Sequence, residues 1–239
     1  MILAILQARM SSTRLPGKVL MPLAGAPLIV RQIERVSRAG RIDRLVVATS
    51  DQPTDDPLEA AVRREGIAVF RGSLDDVQSR FIGALDAFGP ADHVVRLTAD
   101  CPLADWTVID ATIDAFLAAD ADYGSNTPAH RTYPKGLDVE VMRAEVLRQA
   151  AVEARTPEER EHVTWALHRR PDRWRQAFHS QTAEEGEVRW TVDRPDDYAF
   201  VAAVYDALYA GNRAFTSQDV RDFVHSRPDL IDYGGDRRV

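Results

Sequence analysis

The 239-residue chain has one cysteine, Cys101. A single thiol excludes an intrachain disulfide framework and a metal site built from several cysteines. No apolar run approaches the roughly 18 residues that a membrane span needs. The opening MILAIL is too short for the apolar region of a secretion signal and has no basic residue ahead of it. Positive charge is in deficit: 30 Lys and Arg against 37 Asp and Glu leave a net charge of −7. That balance argues against a general nucleic-acid binder, which displaces counterions with an extended basic face. Familiar motifs are missing too. There is no G-x-G-x-x-G, no P-loop and no H-E-x-x-H, and no internal repeat or low-complexity tract. What remains is a globular chain expected in the cytoplasm, with neither a membrane nor a nucleic acid as partner.

What is present is a rhythm. ILAIL (2–6), RLVVAT (44–49), IAVF (67–70) and HVVRLT (93–98) read as buried strands. Between and after them, residues 28–40, 56–66, 74–89 and 106–119 carry apolar residues at helical spacing. Strand–helix alternation predicts an α/β fold, a mainly parallel sheet between two helical layers, with ligands at the carboxyl ends of the strands. The rhythm changes after Asp122. One domain over 1–239 is expected, with its core in 1–122 and 187–239 and an insertion at 123–186 serving acceptor binding or dimerisation. EVRWTV (187–192) reads as a further core strand, followed by helices over 196–210 and 216–226. Trp165 reads as a packing residue on the apolar face of a helix.

Three strand ends carry chemistry. The loop after the first strand, QARMSSTRLPGKVL (7–20), gathers Arg9, Arg14 and Lys18 among small and turn-forming residues. Backbone N–H groups and three cations suit two or three phosphates. The alternative is a solvated loop whose arginines pair with surface acids. Asp100, in RLTADCPL (96–103), directly follows a strand; it is a metal ligand or a turn former. Asp193, in WTVDRPDDY (190–198), precedes Pro195 at a helix start; it is a metal ligand or a helix cap. Two carboxylates facing a phosphate loop suit Mg²⁺, which takes one or two protein carboxylates and completes its shell with phosphate oxygens and water. Asp120-Ala121-Asp122 has the D-x-D form of a glycosyltransferase metal site, but follows a helix rather than a strand. Cys101 reads as a small buried residue.

LQARMSSTRLPGKVL resembles the signature A-R-x-x-S-x-R-L-P-G-K of cytidylyltransferases that make CMP-activated sugars, the 3-deoxy-manno-octulosonate and acylneuraminate enzymes among them. FRGSLDDVQSRF (70–81), RLTADCPL, YPKGLDVEVM (133–142), EREHVTWAL (159–167) and WTVDRPDDY extend the likeness over almost the whole chain. It is strongest to the branch of spore-coat polysaccharide biosynthesis proteins F. The resemblance implies the three-layer nucleotide-diphospho-sugar transferase fold and a reaction: CTP and a sugar or sugar-acid hydroxyl give a CMP-sugar and pyrophosphate, with Mg²⁺. It implies Arg9 and Lys18 on the CTP phosphates, both as exposed loop cations, with Leu6, Ala8, Ser12, Arg14 and Thr98 completing that site. Ser73 and Arg80 lie along the nucleoside by the same inference. Asp100 acts in catalysis and holds the metal with Asp193, while Lys135, Asp138, Glu140 and His162 line the acceptor pocket. A homodimer is implied, paired through the apolar positions Leu137, Val139, Val141, Val163, Trp165 and Leu167. The rival readings are a nucleotide-sugar-dependent glycosyltransferase of the same sheet topology and a non-catalytic nucleotide-binding protein.

Overall fold

β1 (Ile2–Gln7) is the strand around which the chain is built, and its alternation decides the layers. Ala4 and Leu6 point into one core and Leu3 and Ile5 into another, as a period of two requires. The computed structural model describes all 239 residues. After a short hairpin of β2 (Pro22–Leu23) and β3 (Ala26–Pro27), the chain continues through α1 (Leu28–Val36), β4 (Arg44–Ser50), α2 (Asp56–Arg64), β5 (Ala68–Gly72), α3 (Val77–Phe88), β6 (His93–Thr98) and α4 (Trp106–Ala118). β5, β4, β1 and β6 lie side by side and parallel. α1, α2 and α4 cover one face, with Ile33, Val62 and Phe116 in its core; α3 covers the other with Phe81 and Leu85.

The second half extends the same sheet. β7 (Tyr123–Ser125), β8 (Glu140–Arg143) and β9 (Gln176–Phe178) add to the β6 edge in the order β8, β7, β9. β8 runs antiparallel to β6 and to β7, and β9 is parallel to β7. Between β8 and β9 come α5 (Ala144–Glu153), α6 (Pro157–Glu161) and α7 (Trp165–His168). Thr156 starts α6 with a reciprocal capping box to Glu159. α8 (Pro195–Leu208) and α9 (Ser217–His225) close a third core around Trp190, Phe200 and Phe215. The fold is three-layered α/β/α on a seven-stranded, mostly parallel sheet, as expected.

Two expectations fail here. Residues 187–192 do not form a core strand: they make one parallel bridge, Lys135 to Arg189, outside the sheet. Val188, Trp190 and Val192 bury one side against α8 and α9, while Arg189, Thr191 and Asp193 face polar surroundings. The alternation was real, but the segment packs on helices instead of joining a ladder. Gly136 makes the crossing feasible, because it has φ +112° and a Cβ there would lie 2.7 Å from the Trp190 and Thr191 backbone. Second, Leu137, Val139, Val141, Val163 and Leu167 are each at most 2% exposed within the single chain. They belong to its own cores, so the dimer contact argued from them has no surface to stand on.

Candidate active site

The strand order reverses about β1, since β4 lies on one side of it and β6 on the other. Ligands in open α/β sheets sit in the crevice at such a switch point, and the loops after β1 and β6 hold residues 8–20 and 99–105. The first loop is pinned at both ends of its excursion. The Met10 carbonyl accepts from the N–H groups of Ser12 and Gly17, both at 2.9 Å. The Met10 N–H donates to the buried carboxylate of Asp55, which also accepts from the hydroxyls of Thr49 and Ser50. Burial works to raise the Asp55 pKa, and these hydrogen bonds outweigh it and hold it below the ordinary value. Gly17, at φ +73°, turns the chain so that Lys18 points inward.

Lys18 is therefore not an exposed loop cation. It is 8% exposed, and its Nζ donates to the Val192 carbonyl at 2.6 Å and to Asp193 Oδ1 at 3.0 Å, with Asp100 Oδ2 at 3.5 Å. Two carboxylates 93 positions apart in the sequence, one in the loop after β6 and one after the bridge segment 187–192, converge on one ammonium. Asp193 carries further cations, Arg14 at 2.8 Å and Arg189 at 2.8 Å. Burial pushes its carboxyl up, and Lys18 first, then Arg189 and Arg14, pull it below the usual range. Asp193 does not cap α8. Arg194 is the N-cap, and Asp197, fully buried, accepts from the N–H groups of Asp193 and Arg194 and from the side chains of Arg189 and Arg238. Asp100 is the more open carboxylate, with its side chain 30% exposed.

These groups floor a cavity of about 330 Å³ whose wall includes Ala8, Arg9, Ser12, Arg14, Arg80 and Thr98. Arg80 is 2% exposed, and its Nε is buried with no partner. Burial, and then the like charge of Arg9, depress its pKa to about 10. Two guanidiniums that face a cavity without a carboxylate on either make an anion site. A second cavity of about 600 Å³ shares Arg96, Thr98 and His162 with the first. Asp138 and Glu140 line it, as do Trp165, His168 and Phe178.

Of the residues that the resemblance assigns to the nucleotide, metal and acceptor sites, three lie outside both cavity walls. Leu6 is fully buried in the sheet core. The Ser73 hydroxyl accepts from the Asp76 N–H ahead of α3. Lys135 lies beside Glu187, with 3.7 Å between their charged atoms. Asp120 and Asp122 pair with Arg143 and Arg175 away from both cavities, so the D-x-D is an ion-pair cluster. Cys101 is buried, and burial pushes its thiol far above the ordinary value, so it is no nucleophile. Trp165 is the reverse case. Its helix breaks into α6 and α7, and the indole stacks on His162 with ring centres 5.7 Å apart, at the cavity wall and not in a core. Arg96 was missed, although a charge inside the apolar run HVVRLT was a signal.

Asp55, Glu140, Asp193 and Asp197 are all held below ordinary carboxyl values. The unfolded chain therefore binds more protons than the native one as acid is added. The stability these carboxyls contribute is present above about pH 5 and is lost progressively from there towards about pH 3, while His93 and His179, which burial holds below the ordinary imidazole value, begin the decline nearer pH 6.5. Urea midpoints across that range test this, and an unchanged midpoint at the acid end would contradict the paired, charged state of these groups.

A family model described as cytidylyltransferase matches residues 3–206. The spore coat polysaccharide biosynthesis protein SpsF of Bacillus subtilis is 37% identical over 219 residues, covering 89% of this chain and 88% of that one. The 3-deoxy-manno-octulosonate cytidylyltransferase of Mesorhizobium japonicum is 33% identical over 148 residues, 60% of this chain and 54% of the relative. Among solved structures, a cytidylyltransferase from Leptospira borgpetersenii superposes with a TM-score of 0.90 at 28% identity, covering 96% of each chain. A CMP:2-keto-3-deoxy-manno-octonic acid synthetase complexed with CTP shares the fold, with a TM-score of 0.62 at 18% identity over 85% of this chain and 97% of that one. With the anion cavity at the switch point of its sheet and most of its length inside the family model, this chain belongs to the cytidylyltransferases, a family of nucleotidyltransferases.

Proposed function

We propose that the protein transfers CMP from CTP to the hydroxyl of a sugar acid and releases pyrophosphate, with Mg²⁺. The observation that carries this reading is the pairing of cavities: one lined by Arg9, Arg14, Lys18 and Arg80, the other opening from it at Arg96, Thr98 and His162. The first suits a triphosphate, the second a sugar-sized acceptor. In the reaction the acceptor oxygen forms a bond to the α-phosphorus. The bond from that phosphorus to the β-bridging oxygen breaks, pyrophosphate takes the electron pair, and the hydroxyl proton passes to solvent.

Arg9 and Arg80 have guanidinium N–H groups without carboxylate partners, so they hold phosphate oxygens at no cost in broken ion pairs. Arg14 and Lys18 place positive charge beside the carboxylate pair, where charge develops on the phosphoryl group. Asp100 is the more open carboxylate of the pair and would hold Mg²⁺; Asp193, whose oxygens carry Lys18, Arg14 and Arg189, would join it by giving up its contact with the exposed Arg14. Two carboxylates suit an ion that takes most of its shell from phosphate and water. When bound, the metal neutralises phosphate charge as pyrophosphate departs.

Pyrophosphate release from CTP in the presence of sugar acids tests the reaction. CTP protection against thermal unfolding tests nucleotide binding separately, with UDP- and GDP-sugars as controls. Protection by the nucleotide-sugars but not by CTP would overturn the reading. Arg9→Ala is expected to weaken CTP binding about tenfold, the value of one charge-assisted contact, and to leave the melting temperature in place because Arg9 pairs with no carboxylate. Unchanged CTP affinity in that variant would remove Arg9 from the phosphate site.

A further inference from the structure

The wall of the acceptor-side cavity is short of positive charge. Among its lining residues Arg96 is the one Lys or Arg, and it faces two carboxylates, Asp138 and Glu140. Asp138 is paired with Arg131, outside that wall. Arg96 is also one of the three residues the two cavities share, so it stands where the acceptor meets the nucleotide.

The side chain is held from one edge. In the β6–β8 register Arg96 lies opposite Glu140, and its Nη1 donates to Glu140 Oε2. Nε donates to Gln7 Oε1 at 3.1 Å. Glu140 is itself fixed, because Oε1 accepts the Tyr123 and Thr164 hydroxyls at 2.6 Å each. Both of its oxygens are committed within the protein, so Glu140 orients Arg96 and is not the group that meets the acceptor. Nη2 makes no hydrogen bond within the protein and is not enclosed, on a side chain 16% exposed.

We infer that Arg96 is the specificity-determining residue for the acceptor, and that its free Nη2 edge binds the carboxylate of the sugar acid. An acid entering a cavity that contains Asp138 and Glu140 needs a counter-ion, and the wall supplies one. Bound there, the carboxylate brings the hydroxyl beside it to the junction of the two cavities. A preorganised guanidinium fork suits a carboxylate better than a lysine does. This rests on the transferase reading above and adds the residue that selects the acceptor.

The probes are 3-deoxy-manno-octulosonate and N-acetylneuraminate, each against its methyl ester, which lacks the charge and carries one added methyl group. Calorimetry of the intact protein is expected to give at least one acid bound about tenfold more tightly than its ester. Arg96→Gln is expected to erase that preference, and Arg96→Lys to keep part of it. Glu140→Gln keeps an amide oxygen that can accept from Arg96 and removes the competing negative charge, so it is expected to keep or raise the preference. If the pair were only structural, the two Gln variants would behave alike, and that result would overturn the proposal. So would a wild-type protein with no preference for either acid, or an Arg96→Gln variant that retains one. Thermal protection by CTP, followed in every variant, reports the nucleotide site independently: its absence from the wild type would count against the transferase reading itself.

Discussion

Asp100→Asn is expected to lower the rate of pyrophosphate release from CTP about 10²–10³-fold, the range for removing one charged contact made to the developing transition state. Asn keeps the size and one acceptor oxygen of Asp100 and removes only the charge. The side chain is partly exposed and its nearest cation is Lys18 at 3.5 Å, so the melting temperature should move little. Asp193→Asn is expected to be as severe in rate. Because Asp193 also balances Arg14 and Arg189, it should cost stability as well. A purely capping residue would tolerate Asn, but Asp197 does that work. If the two carboxylates act as one cation-holding unit, the double variant will be scarcely slower than either single one. Rates that multiply instead would separate them, and an Asp193→Asn enzyme of normal rate and normal Mg²⁺ dependence would leave Asp100 as the sole protein ligand.

The second large effect is at Lys18. Its ammonium is buried between Asp100, Asp193 and the Val192 carbonyl, so Lys18→Ala leaves a buried carboxylate short of a partner. Breaking a buried pair typically costs about 3–5 kcal/mol. Arg14 and Arg189 remain on Asp193, and a loss of about 2–3 kcal/mol is expected, which lowers the melting temperature by roughly 5–10 °C in a domain of this size. Activity should fall with it, since both carboxylates lose the charge that draws them together. Lys18→Arg, tested alongside, keeps the charge but changes the head group, and it should recover stability better than rate. A Lys18→Ala protein as stable as wild type would contradict the buried role, and wild-type CTP affinity in it would remove Lys18 from the nucleotide site.

Periodicity alone determined a good deal of this protein. The four parallel strands, the helices between them and the location of the site at the strand ends all follow from runs such as ILAIL and HVVRLT, because each was apolar enough to be buried on both faces of a sheet. The basic loop was legible for a similar reason, as Arg9, Arg14, Gly17 and Lys18 fall within ten residues. Tertiary structure decided what contacts across long separations set. EVRWTV has the alternation of a strand, and whether it joins a ladder or packs on α8 and α9 depends on partners far from it in sequence. Lys18 reads as a solvated cation until Asp193 and Val192, some 175 residues away, close over it. Leu137, Val139 and Val141 read equally well as a dimer face or as a core, since burial looks the same in sequence whichever surface covers it. Arg96 appears as a charge in the apolar run HVVRLT and Glu140 as one of two acids in LDVEVM. Only the antiparallel register of β6 and β8 puts them opposite one another and leaves one edge of the guanidinium free at the place where the two cavities meet.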